Sequence, residues 1–266
     1  MTVRTRAPFT PQQFPVRLSR RVGLRHMQSM GAKRLVCPCN RADGFETGAI
    51  AGFWTIGEGF GNPFEIVSEN PTPYHGNYCA RATGDPYGWL WHDLTGTNTT
   101  KWLSFRYRIV PYPASPPTYP SDIPLVYFRL KGFYPGEPEE YNWDIQLRLI
   151  TGGTPSPRFR IDYGFGVISE GTHVLEVNKW YCVRVRISVQ ETTVTTTVYL
   201  DGELDCTLTS DITRDLPIVY NSFGYLLLYP TGWGGIPPTC TTAIDNWCEV
   251  DGDSDPGCTI PDWCWE

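Results

Sequence analysis

The groups in this sequence that could do chemistry sit in short runs where polar and apolar residues alternate. Arg106 and Arg108 alternate with Phe105, Tyr107 and Ile109, and Tyr127, Arg129 and Lys131 with Val126, Phe128 and Leu130. Asn142, Asp144, Gln146 and Arg148 alternate with Trp143, Ile145, Leu147 and Leu149. Arg158, Arg160 and Asp162 alternate with Phe159, Ile161 and Tyr163, and Arg184 and Arg186 with Val183, Val185 and Ile187. Successive side chains of an extended strand point to opposite faces. If these strands share a sheet, one face is dry and the other is rich in arginine, with Asp144 and Asp162 interspersed. Guanidinium forks grip carboxylate, sulfate and vicinal hydroxyls by two-point contacts. That makes Arg106, Arg108, Tyr127, Arg129, Asn142, Asp144, Gln146, Arg148 and Arg160 the expected face for a glycan, acidic or rich in hydroxyls. The plainer alternative is a solvated antiparallel sheet whose cross-strand pairs contribute roughly 0.2–1 kcal/mol each.

Acid–base chemistry has less to draw on. The histidines are His26, His75, His92 and His173, and none has a motif around it. The nine cysteines are Cys37, Cys39, Cys79, Cys182, Cys206, Cys240, Cys248, Cys258 and Cys264, an odd number that leaves one thiol over in an oxidising compartment. Cys37 and Cys39 are too close for a relaxed disulfide and lack zinc-knuckle spacing. Cys258 and Cys264 are expected to form a local staple. The remaining thiols can equally be buried as small hydrophobes.

Short aromatic and β-branched runs separated by Gly, Pro, Asn and Asp begin near Asp43, the pattern of an all-β sandwich or barrel. Strands are predicted over Asn77–Ala82, Trp89–Asp93, Trp102–Val110, Leu125–Lys131, Asn142–Ile150 and Arg158–Tyr163. Others are predicted over Thr172–Glu176, Trp180–Gln190, Thr193–Leu200, Leu204–Ser210, Phe223–Tyr229 and Thr242–Val250. Asp201-Gly202 between two β runs reads as a tight hairpin turn. Pro111–Pro120 and Pro230–Pro238 read as surface excursions. The expected organisation is an extended basic arm over 1–40, one β-sandwich over 41–250 and a cysteine-containing tail over 251–266.

Charge is distributed unevenly. Met1–Val36 carries Arg4, Arg6, Arg17, Arg20, Arg21, Arg25, Lys33 and Arg34 with no acid, so an overall charge of −6 leaves −14 on the rest. A short helix is predicted over Arg20–Met30, but the arm has no nucleic-acid motif and no regularly interleaved aromatics, which makes nucleic acid a poor partner and docking on protein the better one. Arg4, Arg6, Arg17, Arg20, Arg21 and Arg25 are the expected assembly contacts. No apolar run is long enough to span a membrane, and no signal-peptide core stands near the N-terminus.

Four segments, in order, resemble the concanavalin A-like lectin/glucanase superfamily and its laminin G-like relatives. Asp43-Gly-Phe-Glu-Thr-Gly-Ala with Phe53-Trp54 is similar to the opening strand of those sandwiches, and His75-Gly-Asn-Tyr-Cys-Ala-Arg to the strand that follows it. Asn178-Lys-Trp180 with Val198-Tyr-Leu-Asp201-Gly202 resembles their central hairpin, and Ala243-Ile-Asp245-Asn-Trp247 their last strand. The resemblance implies an antiparallel jelly-roll β-sandwich. It also implies a structural calcium ion held by an acid of the first strand and one of the last, here Glu46 and Asp245. Glucanases of the superfamily carry an E-x-D-x-E set on one strand; the strand resembling it has Asn142 and Gln146 around Asp144, and amides cannot serve as nucleophile or proton donor. Glu139 and Glu140 fall upstream, in what reads as a loop. The related alginate lyases use a histidine strand that has no counterpart here, although Arg160, Tyr127 and Lys131 would suit an acidic substrate.

The resulting expectation is a non-enzymatic, lectin-like structural or decoration protein of an extracellular or virion assembly. Its arm would lock to neighbouring subunits of a homo-oligomer and its sandwich would face outward for adhesion. The alternatives are a free-standing carbohydrate-binding module, or a glucanase or polysaccharide lyase of the same fold.

Overall fold

The computed structural model describes residues 39–56, 64–82, 90–93, 99–111, 122–133, 140–150, 156–163, 166–190, 193–211, 219–228 and 240–258. The chain divides into Met1–Val36 and Cys37–Glu266. The arm, with Arg4, Arg6, Arg17, Arg20, Arg21 and Arg25 and the short helix predicted there, lies outside the described residues. So do most of both Pro-rich excursions and the tail beyond 258.

In chain order the strands are β1 (Arg41–Asp43), β2 (Thr55–Ile56), β3 (Phe64–Val67), β4 (Cys79–Ala82), β5 (Leu90–Asp93), β6 (Thr100–Pro111), β7 (Asp122–Phe133) and β8 (Glu140–Ile150). They continue with β9 (Arg158–Tyr163), β10 (Val167–Glu170), β11 (Tyr181–Gln190), β12 (Thr193–Leu200), β13 (Glu203–Asp211), β14 (Val219–Leu228) and β15 (Cys240–Asp251). Sheet A runs β13-β12-β11-β6-β15-β4-β3, with β1 also paired to β15; sheet B runs β10-β9-β8-β7-β14-β5-β2. The pairings are antiparallel throughout, from β1 with β15 to β8 with β9. Two such sheets packed face to face make the expected antiparallel jelly-roll β-sandwich.

The alternation identified the dry faces correctly. Leu103, Phe105, Tyr107 and Ile109 of β6 pack in one core with Ile145, Leu147 and Leu149 of β8, Phe159, Ile161 and Tyr163 of β9, and Val183, Val185, Ile187 and Val189 of β11. Asp201 (φ 50) and Gly202 (φ 96) form the two-residue turn joining β12 to β13, both with the positive φ that such a turn demands. The Asp201 carboxylate also accepts from Cys182 N at 2.8 Å.

Several expectations fail for identifiable reasons. Residues 172–176 form no strand. The N–H groups of Thr172 and His173 both donate to Asp205 Oδ1, each at 2.9 Å, so a side chain takes the donors that a ladder would use. The strand in that region is β10 instead. Glu140 begins β8 rather than lying in a loop. Cys258 bonds Cys182, not Cys264, and Cys39 bonds Cys248 across 209 residues. In the chain-entropy view the Cys39–Cys248 link restrains the unfolded chain by on the order of 5 kcal/mol. Cys79 and Cys206 are buried thiols.

A buried polar network joins the sheets at one end of the core. His92 Nε2 of β5 meets Glu249 Oε1 of β15 at 2.5 Å, Trp247 Nε1 donates to the same oxygen at 2.9 Å, and Arg41 Nη1 meets His92 Nδ1 at 2.9 Å. Trp54 packs edge-on against both His92 and Trp247. Nothing local in the sequence announces this set, because its members come from three separated strands.

Candidate functional site: the outer face of sheet B

The polar residues expected to form one surface are divided between two. Arg106 and Arg108 of β6 and Arg184 and Arg186 of β11 belong to sheet A, whereas Gln146 and Arg148 of β8 and Arg160 and Asp162 of β9 belong to sheet B. In a sandwich the outer faces of the two sheets look in opposite directions. Arg106 and Arg108 therefore cannot share a ligand-binding floor with Arg148 and Arg160.

The arginines of sheet A are occupied by the chain itself. The segment after β15 crosses their face: Arg184 pairs with Asp255, and Arg186 pairs with Asp253 at 3.1 Å. Ser104 Oγ donates to Gly257 O at 2.8 Å and Arg106 Nη2 to Cys258 O at 2.9 Å, beside the Cys182–Cys258 bond. Arg106 also stacks on Tyr74 at 3.8 Å, and Arg108 donates to Asn178 Oδ1 at 3.3 Å. Burial pulls the pKa of both guanidiniums downward. Trp102, Cys248 and Val250 form a small apolar cluster on the same face, with Cys39, Ala42 and Tyr199 against it.

On sheet B the ladder aligns the remaining candidates. Arg148 is the register partner of Arg160, and Gln146 that of Asp162. Arg148 Nη1 donates to Gln146 Oε1 at 2.7 Å, and Arg160 pairs with Asp162 at 3.3 Å. Both arginines are half-buried, a state in which long side chains are held rather than sweeping through solvent. Tyr127 stands opposite Gln146, Arg129 opposite Asp144, and Lys131 opposite Asn142. The side chains of Tyr127, Arg129, Asn142 and Asp144 lie outside the described residues, so for these the ladder register is the observation. One row of register partners crosses the whole sheet through Thr55, Trp91, Leu227, Tyr127, Gln146, Asp162 and Ile168. At about 4.8 Å per strand it spans about 29 Å, the scale of a short oligosaccharide.

Comparison with known proteins gives likeness of shape without a family. No protein-family profile matches the chain, and no curated protein matches it. Among solved structures, the marine PL-14 alginate lyase from Aplysia kurodai is similar at 12% identity, covering 75% of this chain and 91% of that one, with a TM-score of 0.49. SCLam, a non-specific endo-beta-1,3(4)-glucanase from family GH16, is similar at 14% identity, covering 81% and 92%, with a TM-score of 0.48. The alginate lyase vAL-1 from Chlorella virus is similar at 12% identity, covering 75% and 93%, with a TM-score of 0.42. At these values the likeness carries no argument about activity.

Glu46 and Asp245 come together around one loop. Glu46 accepts from Asn77 N at 2.9 Å, and Asp245 accepts from Tyr74 N at 2.8 Å, His75 N at 3.2 Å and Asn246 N at 2.8 Å. Gly76 (φ 63) passes so close that a Cβ there would lie 2.2 Å from the Glu46 carboxyl. Calcium takes six to eight oxygen ligands. The donors around these carboxylates are N–H groups, and among the described residues no three His, Cys, Asp or Glu are grouped to hold a metal. Glu46 and Asp245 are the two acids through which the resemblance implied a calcium ion, and both also hold this loop. Arg81 of β4 pairs with Glu65 of β3.

A cluster that no local motif marks lies at the opposite edge of sheet A. His173 lies between two carboxylates, Nδ1 at 2.9 Å from Asp205 Oδ1 and Nε2 at 3.3 Å from Glu203 Oε2. The Asp205 bond, with Glu203 behind it, holds the imidazole pKa above its ordinary value. Thirty residues and a hairpin separate these partners, and only the fold joins them.

Proposed function

We propose that the chain is a lectin-like β-sandwich that binds an acidic polysaccharide along the outer face of sheet B. The observation that carries this reading is the register pairing of Arg148 with Arg160, with Gln146 and Asp162 beside them. Like charges placed directly opposite across a ladder are unfavourable. A carboxylate-bearing chain laid across the strands would add acceptors for both guanidiniums, and Trp91 supplies aromatic surface on the row that runs through the Tyr127 position. The expected ligand is a polyuronate or sulfated glycan rather than a neutral glucan. Calorimetry and a glycan array test this: acidic chains should bind with an affinity that falls with salt, and Arg148→Ala and Arg160→Ala should weaken them. Equal binding of a neutral glucan would refute it.

A depolymerase acting on the same face is the second reading, favoured by the position of Asp144 opposite Arg129 at the centre of the sheet. Chain cleavage that disappears in Asp144→Asn, with binding retained, would establish it.

The setting we propose is an extracellular or virion assembly, where disulfides such as Cys39–Cys248 and Cys182–Cys258 persist. Among the described residues, no helix is long and apolar enough to cross a membrane. The basic segment Met1–Val36 would serve as a lock on neighbouring subunits. Removing residues 1–36 should abolish assembly and leave the sandwich folded; full assembly without them would end this part of the proposal.

A further inference from the structure

We propose that His173 and Glu203 form one half of a zinc site that a second copy of this chain completes, joining two sandwiches edge to edge. The ligand geometry is already present. His173 Nε2 and Glu203 Oε2 are 3.3 Å apart. Two ligands at about 2.1 Å from one tetrahedral zinc ion stand about 3.4 Å apart.

The imidazole is also prepared for the ion. Its other nitrogen meets Asp205 Oδ1 at 2.9 Å, and the Asp205 side chain is 0% exposed. The same oxygen accepts from Thr172 N and His173 N. Metal-bound histidines generally engage a carboxylate through the nitrogen that does not bind the metal, which fixes the ring and its tautomer. Asp205 plays that part here. It lies on the Nδ1 side of the ring, so it cannot join the ion at Nε2.

One chain therefore offers two ligands where zinc takes four. A two-fold contact duplicates every side chain it uses, so a second copy brings the missing pair. The location permits such a contact. Strand β13 is the outermost strand of sheet A, and β10 is the outermost strand of sheet B. Leu204 (57% exposed), Val174 (43%) and Ile168 (48%) are large apolar side chains open to solvent on and next to these strands. Glu203, 80% exposed, is free to swing into a shared shell.

The test is analytical ultracentrifugation of the full chain in EDTA, in zinc chloride and in magnesium chloride, with bound zinc measured in parallel. Zinc alone should double the mass, at one ion per two chains. His173→Ala and Glu203→Ala should each abolish the doubling, and Asp205→Asn should raise the zinc needed by about tenfold or more. Both ligands are at the surface, and circular dichroism of the His173→Ala and Glu203→Ala proteins checks that they fold. A mass unaffected by zinc, one zinc per chain without association, or doubling that survives His173→Ala would each overturn the proposal. An ordinary surface ion pair between His173 and Glu203 predicts the first of these outcomes.

Discussion

Arg148 of β8 and Arg160 of β9 are direct ladder partners on the outer face of sheet B, and each guanidinium is tied to an acceptor two residues away on its own strand. The two facing cations oppose each other, and the Arg160–Asp162 pair is a partly exposed ion pair of a kind worth about 0–1 kcal/mol. Arg160→Ala should therefore leave the unfolding free energy within about 1 kcal/mol of the parent, or raise it slightly. The same substitution should weaken binding of a polyuronate by about tenfold or more, more strongly at low salt. Calorimetry at two ionic strengths and urea unfolding give the two halves. Loss of stability without loss of binding would show that the pair is structural.

Gly76 is locked in place by the Glu46 carboxylate. Any side chain at 76 must both adopt the positive φ and displace that carboxyl from Asn77 N. Gly76→Ala should cost more than about 1 kcal/mol of stability, read from the urea midpoint. Glu46→Gln combined with Gly76→Ala should cost less than the sum of the two single changes, because both act on one contact.

Asp245 gives stability a pH dependence of definite sign. Burial pushes its carboxyl up to about 7, against the N–H donors of His75, Tyr74 and Asn246. The unfolded chain releases this proton near the ordinary value of 3.8, so the folded state holds more protons between about pH 4 and pH 7. The contribution is fully present below the unfolded value and is lost as pH rises through about 7. Urea midpoints measured from pH 4 to pH 8 should fall more steeply for the parent than for Asp245→Asn. Parallel curves would remove Asp245 as the source.

The Cys182–Cys258 bond anchors the acidic segment over the arginines of sheet A. Cys258→Ser should open this segment to protease between Asp251 and Cys258 and lower stability by up to about 4 kcal/mol. Arg184 and Arg186 would then face solvent, and the protein should gain retention on a cation-exchange column. Unchanged cleavage and retention would mean that the ion pairs with Asp253 and Asp255 hold the segment unaided.

Local pattern was legible in the order of residues. Period-two alternation marked which side of β6, β8, β9 and β11 faces the core, since a pleated strand leaves each side chain one of two directions. Asp201-Gly202 specified its turn because only positive φ at both positions closes a two-residue hairpin of the right twist. What the sequence left open was which strands become neighbours. Ladder bonds are made by backbone groups that are the same in every residue, so sheet membership follows from the packing of the whole chain. That is why Arg106 and Arg160 looked like members of one face and belong to two. It is also why Cys258 reached Cys182, and why His173 found Asp205 and Glu203 across a hairpin. Tertiary structure turned one supposed arginine surface into a face closed by the chain's own acidic segment and a second, opposite face built around Arg148 and Arg160.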